Sequence, residues 1–200
     1  MTTNTRPINP SSTALLLMDF QPAVLAAIAD PDALLERAAA ALAWARSEKV
    51  RVGYVRVAFT DEDFAAVPSH SKTFAAVAEN RFLAADSPEA QIHESLEVHA
   101  EDLVVRKTRF GAFSTTDLHV GLHEQGIDTL VLAGISTAGV VLSTVRHAAD
   151  EDYRVFVLAD ATADPDPEVH RVLIEKVFPH QADIISTHDL PTLTDAGDAL

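Results

Sequence analysis

Thr129-Leu130-Val131-Leu132-Ala133-Gly134-Ile135-Ser136-Thr137-Ala138-Gly139 leads an apolar run into a turn of small residues. A run this short, rich in Val and Leu, reads as a strand covered on both faces. The residues behind it, Thr137 to Asp150, are apolar for most of their length, as a helix packed on a sheet is. Small residues in such a turn let the backbone approach a ligand closely. The first N–H groups of the helix have no partner within it, which suits negative charge developing on a reacting oxygen. The spacing Gly-x-x-x-x-Gly, with no Lys-Ser or Lys-Thr after it, does not fit a nucleotide fingerprint.

The same alternation extends in both directions. Ala14 to Met18, Val52 to Val57 and Tyr153 to Leu158 are further strong apolar runs, and Leu103 to Val105 and Asp183 to Ile185 are weaker ones. Helical patterns lie between them. Pro31 to Lys49 repeats Ala, Leu and Trp at spacings of three and four, Asp117 to Gln125 stops at Gly126, and Pro167 to Val177 carries Val169, Leu173 and Val177 on one stripe. Strand and helix in alternation predict an α/β fold of three layers, α/β/α, with a mostly parallel sheet. Phe59 to His99 is the exception, a long stretch rich in Ala, Ser, Asp and His with little strand signal. Connections of that length in compact domains are often lids or binding loops. The whole of 1–200 reads as one domain with its core over about 12–190, on the prior of roughly 100–200 residues per domain.

Composition narrows the chemistry. The formal charge is −15 with 15 Lys and Arg scattered along the chain, which argues against a nucleic-acid partner. With no cysteine, disulfides and thiol nucleophiles are excluded. No apolar run approaches the ~20 residues of a membrane helix, and Met1 to Pro10 has no signal-peptide core. These absences predict a cytoplasmic protein away from membranes. The nine histidines do not fall in tight ligand pairs. His119 and His123 lie four apart but have no third ligand near in sequence, so no metal is expected.

In an open parallel sheet, ligands sit outside the carboxyl ends of the strands. The first strand ends at Asp19, the third leads into Arg106-Lys107-Thr108-Arg109-Phe110-Gly111-Ala112-Phe113, and the fifth ends at Asp160. Asp19 reads either as a cap of the following helix or as a partly buried carboxylate that moves protons. Lys107 reads either as a surface lysine or as the partner that holds Asp19 charged and orients a substrate. No Gly-x-Ser-x-Gly elbow is present for a serine triad.

Taken in order, these segments resemble the isochorismatase-like hydrolases. Leu16-Leu17-Met18-Asp19-Phe20-Gln21 is similar to that family's first-strand motif, and Lys107 with Gly111-Ala112-Phe113 to its lysine motif. Gly134-Ile135-Ser136-Thr137 and the residues as far as Asp160-Ala161 are similar to its third motif and the strand after it. The resemblance covers about 12–190. It implies a Rossmann-like sheet, a homodimer or higher homo-oligomer, no cofactor, a small-molecule substrate, and a cis peptide at Ile135-Ser136. It also implies a catalytic Asp, Lys and Cys, of which Asp19 and Lys107 match the first two. The cysteine position is Val140, and the oxyanion turn maps onto Ser136, Thr137, Gly139 and Val140. The metal-binding Asp and His of the amidase branch are not visible. The isochorismatases themselves lack the cysteine and cleave a vinyl ether with the aspartate as general acid, so Asp19 would be the proton donor and Lys107 would place the substrate. A binding protein that has lost the chemistry, or an amidase using Ser136, Thr137 or Ser143, are the alternatives.

Overall fold

A computed structural model describes residues 7–194. These form one sheet of six parallel strands in the order β3-β2-β1-β4-β5-β6. The strands are β1 (Thr13–Met18), β2 (Arg51–Val57), β3 (Leu103–Lys107), β4 (Thr129–Ile135), β5 (Arg154–Ala163) and β6 (Asp183–Ile185). The helices are α1 (Pro22–Leu25), α2 (Pro31–Glu48), α3 (Asp61–Ala65), α4 (Phe74–Glu79), α5 (Leu118–Glu124), α6 (Leu142–Asp150), α7 (Pro167–Val172) and α8 (Leu190–Thr194). Every residue of β1 and of β4 is buried, as their unbroken apolar runs require.

Helices cover both faces of the sheet. On one, α2 and α8 close a core with Leu15, Leu17, Tyr54 and Phe156, and Trp44 lies in it. On the other, α5 and α6 pack against Leu16, Met18, Leu130 and Leu132. Asp30 caps α2 by accepting the Ala33 N–H, and Pro31 occupies its first turn, which explains why that helix was plain in the sequence. No helix among the described residues is long and apolar enough to cross a membrane.

Two boundaries differ from the sequence expectation. The fifth strand does not end at Asp160 but runs on to Ala163, after a bulge in which Leu132 pairs with Val157 and Gly134 with Thr162. An extra length of chain in one strand of a pair breaks the simple apolar run and hides the true end. The helix expected from Thr137 begins as a wide, π-type turn over Thr137–Val141 and becomes regular only at Leu142.

Residues 59–99 fold into a small cap. Phe59 and Ala84 form an isolated parallel bridge at the end of β2, and Phe59, Phe64, Phe74, Leu83 and Ala90 make a third apolar cluster separate from the two main cores. Arg106 of β3 ties the cap down through Asp63 at 2.5 Å and the Ala58 carbonyl at 2.9 Å.

Candidate active site

The strand order reverses between β1 and β4, and a doubly wound sheet opens its crevice at such a point. Asp19 follows β1 directly and has φ +60, a left-handed conformation that Asp tolerates better than most side chains. Its own N–H donates to the Val55 carbonyl at 2.7 Å, while its carbonyl accepts the Gln21 N–H at 2.8 Å. Gln21 clamps the neighbourhood. Its side-chain oxygen accepts the Val57 N–H, and its amide donates to the carbonyls of Val57 and Ala90. Because Gln21 is wholly buried, these bonds join the end of β1 to β2 and to the cap.

Lys107 ends β3, two strands away from β1. Its side chain crosses the end of β2, and Nζ donates to Asp19 Oδ2 at 2.7 Å and to the Arg109 carbonyl at 3.2 Å. Asp19 is 5% exposed and Lys107 1%, so both charges have left water together. A buried pair is stable only where hydrogen bonds replace solvent. Here the replacement is incomplete, because Asp19 Oδ1 is buried with no hydrogen-bond partner. Burial pushes the Asp19 carboxyl above its ordinary value of 3.8. The Lys107 charge and hydrogen bond, helped by the nearby Val57 N–H, whose hydrogen bond goes to Gln21, pull the other way without overcoming it.

The turn after β4 faces this pair across the crevice. The Ile135-Ser136 peptide bond is cis. An ideal Cβ on Gly134 would stand 2.8 Å from the Met18 carbonyl oxygen, so glycine is what lets β4 lie against β1 at this level. A Cβ on Gly139 would stand 2.8 Å from Ser136 Oγ, so the turn closes over that hydroxyl.

A cavity of about 310 Å³ opens on the pair. Asp19, Lys107, Ser136, Gly139 and Val140 all line it. Thr137 does not share their direction. Its hydroxyl pairs with His170 Nδ1 at 2.8 Å, on the far side of the turn. Burial lowers the His170 pKa from 6.5, favouring the neutral ring. Asp164 holds the same turn by accepting the Ala138 N–H at 2.8 Å. Of the other hydroxyls weighed in the sequence, Ser143 packs its Cβ beside Gly111. Asp160 is spent on Thr187, whose N–H and Oγ1 it accepts at 2.9 and 2.6 Å.

The cavity walls come largely from segments the sequence reading left unfolded. Phe74 of α4, Phe82 and Leu83 of the cap, and Phe110 of the loop after β3 line it together. The Phe74 and Phe110 rings lie 4.8 Å apart. Arg109 lies on the same wall, with its guanidinium carbon 5.3 Å from the Phe74 ring centroid. The histidines are placed elsewhere. His119 contacts the Tyr153 hydroxyl and Glu151, and His147 stacks on Phe113.

Comparison with known proteins finds a matching family profile, related sequences and related folds. A profile of the isochorismatase domain matches residues 13–189. The isochorismatase family protein YecD of Escherichia coli O157:H7 is 30% identical over 192 residues, 92% of this chain and 96% of its own. A protein of Arabidopsis thaliana named as a probable inactive nicotinamidase is 41% identical over 83 residues, 40% of this chain and 42% of its own. The crystal structure of a cysteine hydrolase from Pseudomonas syringae pv. phaseolicola superposes with a TM-score of 0.83 at 23% identity, covering 97% of this chain and 98% of that one, and shares the fold.

Proposed function

Because this chain belongs to the isochorismatase family of hydrolases, we propose that it hydrolyses a small molecule without a thiol nucleophile, with Asp19 as general acid and Lys107 as its partner. The carrying observation is the asymmetry of the Asp19 carboxyl. Oδ2 is engaged by Lys107, whereas Oδ1 is buried and unpartnered on a residue that lines the cavity. Burial favours the protonated form of this carboxyl, on a residue that lines the cavity and can there pass its proton to a bound molecule.

Enol-ether hydrolysis fits this equipment. Asp19 gives its proton to the carbon of the double bond, water adds to the oxocarbenium ion that forms, and the hemiketal collapses to a carbonyl compound and an alcohol. The proton released by the water returns to Asp19. No covalent intermediate with the protein is required, which suits a chain with no cysteine and with valine at position 140. Of the three hydroxyls that an amidase reading would use, Thr137 is bonded to His170 and Ser143 packs at Gly111, which leaves Ser136 as the one on the cavity. Loss of chemistry with retention of the cavity is the second reading, favoured by the Arabidopsis relative whose name marks it inactive.

Asp19→Asn tests the acid role, since it keeps an acceptor for Lys107 and removes the titrating proton. Turnover of an enol-ether substrate is expected to fall by about 10²–10⁴ while ligand-induced thermal stabilisation persists. Turnover equal to wild type overturns the acid role, and a wild type that binds but turns over no substrate supports the binding-protein reading.

A further inference from the structure

The cavity wall carries a cation that no acid among the described residues neutralises. Lys107 is 1% exposed and committed to Asp19, so it is not the charge a ligand meets first. Arg109 is half-buried on the wall and donates from Nη1 to the Thr108 carbonyl at 2.6 Å. No carboxylate among the described residues pairs with it within 4.0 Å. Arg37, Arg46, Arg81, Arg106 and Arg171 pair with acids. Arg51 and Arg56, like Arg109, donate to backbone carbonyls, but of these arginines Arg109 is the one on the cavity wall. With Asp19 ionised the cavity has one positive charge in excess. With Asp19 protonated, as the proposed reaction requires, the excess is larger.

The rest of the lining restricts the body of the ligand. Thr73 and Ser136 are the neutral polar side chains on it, and Phe74, Phe82 and Phe110 supply flat apolar wall. A volume of about 310 Å³ stands near the lower end of the ~300–1,000 Å³ found for small-molecule sites.

We propose that the site selects a singly charged organic anion with a flat, ring-sized apolar body, and that Arg109 is the residue that sets this specificity. The inference rests on the function proposed above, because it takes the cavity over Asp19 as the substrate site. The Arg109 guanidinium lies over the Phe74 ring, and the N–H groups not bonded to the Thr108 carbonyl suit a carboxylate in a two-bond fork. A second negative charge would meet apolar wall and lose its hydration without return. The acidic surface does not forbid entry, since exposed charges beyond about 8 Å are largely screened at physiological salt.

Benzoate and benzamide are the probes, since they share ring and size and differ by one charge. Calorimetric titration of the wild type is expected to show benzoate bound at least tenfold more tightly. Arg109→Gln removes the preference, and Arg109→Lys, which keeps the charge and loses the fork, retains part of it. Equal or tighter binding of benzamide by the wild type overturns the proposal. So does a preference that survives in Arg109→Gln, or no saturable benzoate binding at millimolar concentration. Repeating the titration on Asp19→Asn separates the two readings. A variant that prefers benzoate yet turns over normally sinks the acid role alone, and one that is inactive without any preference sinks the specificity alone.

Discussion

The two oxygens of Asp19 lie in unlike places, and this has a consequence for stability. Burial raises the folded-state pKa above the ordinary 3.8, so the native protein holds this proton more tightly than the unfolded chain does. Between 3.8 and the raised value the unfolded state has released the proton and the native state has kept it. Stability therefore falls as pH rises through that window, by about 1.4 kcal/mol per pH unit at full effect. Urea unfolding of wild type and Asp19→Asn over a pH series isolates the contribution. The wild type is expected to lose stability relative to the variant as pH climbs above 3.8, and the opposite slope would show that the Lys107 charge outweighs burial. Asp19 and Lys107 were legible in the sequence because each stands where an apolar strand stops. Their contact was not, since it joins residues 88 apart through a side chain that passes over an intervening strand. The burial of Oδ1 is likewise a property of packing that no local pattern encodes.

At the scale of elements, β1 and β4 lead into the Asp19 carboxyl and the turn that faces it, and their closeness depends on Gly134. A methyl group there would stand 2.8 Å from the Met18 carbonyl oxygen and 3.0 Å from its Cβ. Backbone cannot give way as a flexible side chain can, so Gly134→Ala should force the strand ends apart. We expect a loss of about 1–3 kcal/mol in thermal unfolding, with turnover reduced more than ligand binding, because the turn and Asp19 are displaced relative to each other. An unchanged melting temperature would show that the ends have room to spare. The strands were legible wherever burial on both faces imposed an unbroken apolar run. Beyond Asp160 that rule fails, since the bulge mixes in Asp160 and Thr162 and the strand continues through polar residues. The Thr137 to Asp150 segment was right in kind, but the register of its first turn is set by the Ser136 carbonyl, which accepts the N–H groups of Gly139 and Val141. Asp164, just after β5, and His170 of α7, which anchor that turn, gave no signal of their own in the sequence.

At the scale of the whole molecule, the protein is a sheet platform carrying a cap with an apolar cluster of its own. A separate cluster predicts separate opening. Phe74 belongs both to that cluster and to the cavity wall, contacting Phe59 at 6.0 Å and Phe110 at 4.8 Å between centroids. Phe74→Ala is expected to speed amide exchange across 59–99 at least tenfold, about 1.4 kcal/mol of local stability, and to raise KM. Amides of β1 and β4 should keep their protection. Uniform acceleration throughout the chain would mean that cap and platform unfold as one. The platform was legible because its period is regular. The cap was not, because its helices are five and six residues long and its bridge, Phe59 to Ala84, is a single pair. Elements so short leave little periodicity to read.

Trp44 is the sole indole of the chain, and it lies on α2 in the platform core. Leu96, near the end of the cap segment, is buried in the same core. The indole emission is therefore a built-in optical reporter of the platform, and an aromatic ligand entering over Phe74 will leave the signal dark unless that core itself shifts.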